Sequence, residues 1–211
     1  LWFGGLAFQL LLLLGSALLL WEWKGLTDRF PDDKVTRLTW LAFGFCYIAL
    51  AALAILSLHA VGLFVAILAA VIATDIGAYF AGRTFGGPKI APSISPSKTW
   101  SGLCGGMIGA ALILLIFYAF TVSTLFDNPE APKFAPGFDA PVAARLALTG
   151  AGIAIVAQIG DFFESWMKRR AGVKDSGSLI PGHGGLLDRV DGLLLACLVA
   201  GAFLWVGRDM F

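Results

Sequence analysis

The stretch GLCGGMIGAALILLIFYAFTVSTL, residues 102–125, decides the fold class. It carries no charged residue and exceeds the roughly 20 apolar residues that a transmembrane helix needs. Alternating strand patterns are absent from the sequence, and in lipid a helix satisfies its own backbone hydrogen bonds. We therefore expect an all-α, polytopic integral membrane helical bundle, a single transmembrane domain over residues 1–211 with about six transmembrane helices. The other predicted spans are residues 1–23, 38–57, 62–82, 143–167 and 190–207.

Composition supports the membrane class. The chain is 58% hydrophobic and only 14% charged, whereas soluble domains carry roughly a quarter charged residues. A formal net charge of +1 gives no preference for nucleic acid, so no nucleic-acid partner is expected. The cysteines form no CxxC pair, which argues against a zinc site or a disulfide framework. Because the chain starts without Met inside an apolar run, we expect its true N-terminus to be missing.

The loops between the spans alternate in charge. The first, third and fifth loops are rich in Lys and Arg, whereas the second has none and the fourth has only Lys133 beside several acids. Basic loops of membrane proteins face the cytoplasm. The pattern predicts that the first, third and fifth loops are cytoplasmic.

A first group of unusual residues surrounds the third loop. Asp75 lies within an apolar span, about 12 Å from the cytoplasmic end marked by Arg83. An ionisable residue at that depth is a functional candidate, with a structural ion pair to Arg83 as the alternative. Ser95, Lys98 and Thr99 precede a predicted helix start, where hydroxyls and amides favour phosphate, although Ser and Thr are also ordinary helix caps.

A second group is denser. Asp161, Glu164 and Ser165 share one helix face, and Asp161 lies about 10 Å deep. Asp75 and Asp161 would then be two buried acids at one depth, which suggests a shared polar site. The group continues with Lys168, Arg169, Arg170, Lys174, Asp175, His183, Gly184, Gly185, Asp188, Arg189 and Asp191.

The chemistry of these residues favours a phosphate substrate. Carboxylates without a Cys or His cluster favour Mg²⁺, and Asp161 with Asp188 could hold one or two metals for a displacement at phosphorus. Basic residues and glycine amides would hold a polyphosphate. The basic run has a plainer alternative reading, a lipid anchor and topology signal, which we consider for Arg170 in particular. His183, flanked by glycines, is interpreted as a phosphate contact.

The second group also carries a family resemblance. The stretch Ser165–Asp191, with its Lys168-Arg169, Lys174-Asp175, Gly184-Gly185 and Asp188-Arg189 pairs, resembles the signature of phosphatidate cytidylyltransferases, and residues 161–191 hold it. Residues 75–100 resemble the other polar region of that family. The resemblance implies an enzyme that uses Mg²⁺ to convert CTP and phosphatidic acid, a membrane lipid, to CDP-diacylglycerol and pyrophosphate. It also implies a homodimer in the bacterial inner membrane, and the basic loops put the active site on the cytoplasmic side. Members of that family carry further hydrophobic helices at the N-terminus, so we expect N-terminal helices to be missing from this chain.

Specific roles follow as hypotheses. We assign catalysis to Asp161, Asp188, Lys174 and Asp75, and metal binding to Asp161, Asp188 and Asp191. Contacts to CTP or phosphate are assigned to Ser95, Lys98, Thr99, Arg83, Lys168, Arg169, Asp175, His183, Gly184, Gly185 and Arg189. The alternatives are a CTP-dependent lipid kinase or a cytidylyltransferase for another lipid phosphate. A transporter coupled through Asp75 and Asp161 is a third reading, but the sequence shows no internal repeat.

Overall fold

The computed structural model describes residues 5–126, 139–179 and 184–208. Within these ranges, six helices are long and apolar enough to cross a membrane, which confirms the predicted polytopic, all-α membrane class. They are α1 (Gly5–Thr27), α2 (Lys34–Ala60), α3 (Phe64–Phe85), α4 (Trp100–Phe126), α5 (Ala140–Arg170) and α6 (Leu187–Arg208). Two short antiparallel strands, β1 (Lys89–Ala91) and β2 (Ser95–Thr99), add a hairpin that the sequence analysis does not predict.

Several helices extend beyond their apolar segments because polar residues begin or end them. Helix α2 begins at Lys34, before the predicted start at residue 38, since the Asp33 carboxylate caps it by accepting a hydrogen bond from the Thr36 amide at 3.1 Å. Hydrogen bonds from Thr36 also lower the pKa of Asp33 below its ordinary value. The apolar stretch of the sequence therefore predicts which residues lie in the lipid, whereas the capping residue decides where the helix itself begins.

The helices form two compact units. The first comprises Leu1–Phe64 and Ile159–Phe211, so it contains α1, α2, α6 and the C-terminal part of α5. Its core is aromatic and aliphatic: Trp23 is buried among Tyr47 and Phe163, and its indole N–H donates to the carbonyl of Trp40 at 2.9 Å. Tight packing of large side chains holds α1, α2 and α5 together in this unit. The single domain over residues 1–211 stays a prediction.

Arg170 joins the first loop to the end of α5. Its guanidinium binds Asp32 in a bidentate manner at 2.8 and 3.1 Å and stacks on the rings of Phe30 and Trp166. This geometry uses the planar fork that only arginine offers. In the described structure Arg170 is therefore a packed, paired residue, which favours a structural role over that of a lipid anchor.

The second unit, Val65–Gln158, is built on small residues. Alanines at positions 66, 70, 110 and 154 form its core with Leu114. Helices α3 and α4 approach closely at Gly77 and Gly105, and a Cβ at Gly105 would lie 2.5 Å from the Gly77 carbonyl oxygen. Small residues allow membrane helices to pack backbone against backbone.

Gly105→Ala is expected to destabilise the second unit by about 1–3 kcal/mol, because the new methyl group would force α3 and α4 apart. Thermal unfolding in detergent measures this change. Gly152→Ala on α5 is the matched control, since nothing lies within 4 Å of its added Cβ. An unchanged melting temperature for Gly105→Ala would show that the helix contact tolerates expansion.

Candidate functional site

Lys168 lies between two buried carboxylates in the first unit. Its ammonium group forms an ion pair with Glu164, one turn earlier on α5, and a second with Asp188 Oδ1 at 2.6 Å. Glu164 is only 3% exposed, and the Lys168 and Asp188 side chains are largely buried. Lys168, predicted to contact substrate, is paired here with Glu164 and Asp188; its contact with substrate stays a prediction.

Asp188 is held on both carboxylate oxygens. While Oδ1 contacts Lys168, Oδ2 accepts hydrogen bonds from the amides of Ser176 at 2.9 Å and Gly185 at 2.8 Å, and from the Ser176 hydroxyl at 3.0 Å. Its place in the first turn of α6 also favours a negative charge. The structure thus brings Lys168, Gly185 and Asp188, three of the predicted site residues, into direct contact.

Glu22, which no sequence motif indicates as a site residue, also belongs to this group. Its carboxylate, on α1, accepts hydrogen bonds from the amides of Leu186 at 2.9 Å and Leu187 at 2.7 Å. It also accepts one from the Ser176 hydroxyl at 3.1 Å, and the residue is 2% exposed. We call Glu22, Glu164, Lys168, Ser176 and Asp188 the polar cluster.

Asp161 and Asp191 lie beside a close helix crossing. Helices α5 and α6 meet at Gly160, where a Cβ would lie 2.6 Å from the carbonyl oxygen of Asp191. Asp161 lies next to Gly160 in the chain and accepts a long hydrogen bond from Ser165 at 3.4 Å. Both aspartates are half-buried. The crossing therefore carries one predicted metal ligand on each helix.

Other predicted residues of this group lie on the surface of the first unit. Lys174 and Asp175 are exposed in the loop after α5, and Arg169 and Arg189 are exposed on α5 and α6. Gly184 has a φ of 84°, in the left-handed region that favours glycine. His183 falls outside the described residues.

The residues of the first predicted group lie in the second unit. Asp75 lies on a face of α3 that is exposed within the described structure. The depth of Asp75 in the membrane and its role in a polar site stay predictions. Arg83 donates to the Tyr79 hydroxyl at 2.9 Å. Whether this group and the polar cluster form one site stays a prediction.

Thr99 acts as a helix cap. Its hydroxyl oxygen accepts a hydrogen bond from the Gly102 amide at 3.1 Å, and the residue is buried at the start of α4. Ser95 and Lys98 are half-buried on the same strand. The capping alternative thus accounts for Thr99, and its contact with substrate, like those of Ser95 and Lys98, stays a prediction.

The donor chemistry is compatible with a hard cation. Asp161, Asp188 and Asp191 supply only carboxylate oxygens, which Mg²⁺ prefers, and Asp188 Oδ1 already holds a positive charge, that of Lys168. In the described ranges, no three His, Cys, Asp or Glu side chains group closely enough to hold a metal ion. The metal site stays a prediction.

An apolar cavity of about 450 Å³ lies beside the polar cluster, between α1, α2 and α6. Leu186, Leu193 and Val190 line it from the side of α6. Asp188 lies between Leu186 and Val190 in the chain, so the first turns of α6 contribute to both the cavity and the cluster. In the first unit, the apolar cavity and the polar cluster therefore adjoin each other at the start of α6.

Comparison with known proteins places the chain in a family. Residues 32–206 match a family described as the cytidylyltransferase family. The chain is 49% identical over 135 residues to the phosphatidate cytidylyltransferase of Brucella suis, covering 64% of this chain and 44% of that protein. For the enzyme of the same name from Pseudomonas aeruginosa, identity is 39% over 145 residues, covering 68% and 48%.

The matched part of the chain spans less than half of the length of these relatives. The family match itself covers most of the chain, including α2 to α5 and nearly all of α6. It confirms the resemblance drawn from the sequence. The chain belongs to the cytidylyltransferase family.

Proposed function

We propose that the protein transfers CMP from CTP to phosphatidic acid, giving CDP-diacylglycerol and pyrophosphate. The observation that carries this proposal is the apolar cavity beside the polar cluster. A lipid phosphate needs an apolar space for its acyl chains and a charged space for its head group. The names of the relatives support the choice of phosphatidic acid and CTP as the substrates.

In the proposed reaction, an oxygen of the lipid phosphate attacks the α-phosphorus of CTP. A bond forms between that oxygen and the α-phosphorus, and the bond from the α-phosphorus to the bridging oxygen breaks, releasing pyrophosphate. The lipid phosphate is already anionic near neutral pH, so the attack needs no strong base. The main barrier is repulsion between two anions, which positive charge must neutralise at close range.

The residues of the chain supply that charge and the orientation. Lys174, Arg169 and Arg189 are exposed cations near the polar cluster in the chain, and we assign them to CTP phosphates. Asp161, Asp188 and Asp191 would hold Mg²⁺, whose chemistry here is to neutralise phosphate charge. Lys168 would keep Asp188 and Glu164 in place before substrate binds. Positioning and electrostatics then supply most of the acceleration.

The proposal also covers the setting of the enzyme. The alternation of basic loops supports an active site that faces the cytoplasm, and the bacterial relatives support the inner membrane. The start of α6, with Asp188, would then lie at the cytoplasmic surface, where soluble CTP and membrane-bound lipid meet. A homodimer remains part of the proposal through the family resemblance alone.

Lys174→Ala is expected to raise the KM for CTP by about ten-fold, because an exposed cation that contacts a phosphate contributes about 1–2 kcal/mol to binding. Initial rates at varied CTP measure this change. Lys34→Ala, which removes an exposed lysine at the start of α2, is the matched control. An unchanged dependence on CTP in Lys174→Ala would exclude the residue from the CTP site.

Labelled CTP tests the reaction itself. Purified protein in detergent is given phosphatidic acid, Mg²⁺ and CTP labelled either in the cytosine or in the γ-phosphate. The proposal predicts that the cytosine label enters the lipid and that the γ-phosphate label leaves in pyrophosphate. Entry of the γ-phosphate label alone would show a lipid kinase, and entry of neither label would contradict both enzymatic readings.

A further inference from the structure

We propose that Glu22 is a positioning residue for Asp188 and that it acts on Asp188 through Ser176 and through the first amides of α6. The inference rests on the proposed function, because it assigns Asp188 to the reaction. Glu22 belongs to α1, far from Asp188 in the chain, and its carboxylate is nearly inaccessible to solvent. A buried carboxylate requires compensation, and the way in which it is compensated indicates its role.

The first connection runs through the backbone of α6. The first amides of a helix have no acceptor within the helix. Here the Glu22 oxygens accept hydrogen bonds from the amide of Leu187, the first residue of α6, and from the amide of Leu186 just before it. The negative charge also lies at the positive end of the helix dipole. Glu22 thus fixes the position of the turn that carries Asp188.

The second connection runs through Ser176. Its hydroxyl lies 3.1 Å from Glu22 Oε2 and 3.0 Å from Asp188 Oδ2, within hydrogen-bond distance of both carboxylates. The Ser176 amide donates to the same Asp188 oxygen. Since the hydroxyl has one proton, Glu22 and Asp188 share it, and the orientation of one carboxylate depends on the other.

Two glycines make room for this arrangement. A Cβ at Gly177 would lie 2.6 Å from Glu22 Oε1, and a Cβ at Gly185 would lie 2.6 Å from Glu22 Oε2. Real side chains do not come so close, so both loop segments need glycine to reach the carboxylate. The loop after α5 and the segment before α6 therefore both close around Glu22.

Glu22→Gln tests the proposal. A glutamine amide offers one acceptor oxygen and places an NH₂ group against donors, so at least one of the three hydrogen bonds is lost. We expect kcat for CMP transfer to fall on the order of 10- to 100-fold, while the KM values for CTP and phosphatidic acid change less than about two-fold. Hydrogen exchange at residues 176–177 and 184–190 should become faster, and exchange at the other described residues should not change.

Two further variants separate positioning from general stability. Ser176→Ala removes only the side-chain connection, so its effect on kcat should be smaller. In the double variant Glu22→Gln, Ser176→Ala, kcat should fall by less than the product of the two single fold-changes, because both substitutions act on Asp188. Asp28→Asn is the matched control, since it removes an exposed negative charge from the turn that follows α1.

The outcomes distinguish this inference from the proposed function. If the unmodified protein transfers CMP and folded Glu22→Gln has a normal kcat, the positioning role is wrong and the proposed function stands. A rise in KM alone, or additive effects in the double variant, would also overturn it. If the unmodified protein transfers no CMP, the proposed function fails, and unchanged exchange at residues 184–190 in Glu22→Gln would then reject the structural connection as well.

Discussion

Asp188→Asn is expected to lower kcat for CMP transfer by roughly two to three orders of magnitude while the protein remains folded. The change removes the negative charge opposite Lys168 and replaces one acceptor oxygen by an NH₂ donor. That donor would face either the ammonium of Lys168 or the amides of Ser176 and Gly185. Steady-state assays of CDP-diacylglycerol formation measure the effect.

Folding is checked on the same preparation of Asp188→Asn by gel filtration and thermal unfolding. Asp28→Asn provides the comparison, because it removes an equal charge from a solvent-exposed position. A folded Asp188→Asn variant with near-normal turnover would remove Asp188 from the active site. It would also remove the basis for placing the reaction at the start of α6.

Lys168→Met is expected to destabilise the first unit by about 3–5 kcal/mol, the range for removing one partner of a buried ion pair. Methionine keeps the length of the side chain but leaves Asp188 and Glu164 without their cationic partner. Both carboxylates are too buried for water to replace the ammonium group fully. Thermal unfolding in detergent, followed by circular dichroism, measures the loss.

The control for Lys168→Met is Lys24→Met. Lys24 pairs with Asp28 at 2.5 Å, but both side chains are more than half exposed, so the expected loss is below about 1 kcal/mol. Adding Glu164→Gln to Lys168→Met should restore part of the stability, because it replaces a buried ionisable carboxyl group that has lost its partner by a neutral amide. Equal melting temperatures for Lys168→Met and Lys24→Met would contradict the buried arrangement.

The membrane architecture could be predicted from the sequence because lipid imposes a simple length rule. Each of the six predicted apolar spans corresponds to one described helix. The hairpin of β1 and β2 could not be predicted, because strands of three and five residues, with one proline and two serines between them, show no alternation of apolar and polar residues. Its pairing depends on contacts across the loop, such as Lys89 opposite Thr99.

The site could be predicted where its residues are close in the chain. Lys168 and Asp188 stand within one 27-residue signature, and the structure joins them directly. Glu22 is 154 residues from Ser176, so no local spacing indicates their hydrogen bond. The one available signal was an acid near the end of an apolar span, between Trp21 and Trp23, which is a functional candidate by default.

Arg170 and Thr99 show why the type of a side chain alone does not predict that it contacts substrate. Arg170 stands beside Lys168 and Arg169 in a basic run, yet its guanidinium is used by Asp32 and two aromatic rings. Thr99 follows Lys98 in a pattern typical of phosphate-binding sites, yet its hydroxyl caps α4. In both cases a tertiary or capping contact uses the group, and the sequence pattern is the same with or without that contact.

Phosphorus NMR of the complete reaction tests the central claim most directly. Purified protein, phosphatidic acid, CTP and Mg²⁺ are followed until the lipid phosphomonoester signal stops changing. The account predicts that this signal is replaced by the two coupled signals of a lipid-bound diphosphate, with one pyrophosphate formed per lipid converted. Formation of CDP, or loss of CTP without any change in the lipid signal, would contradict it.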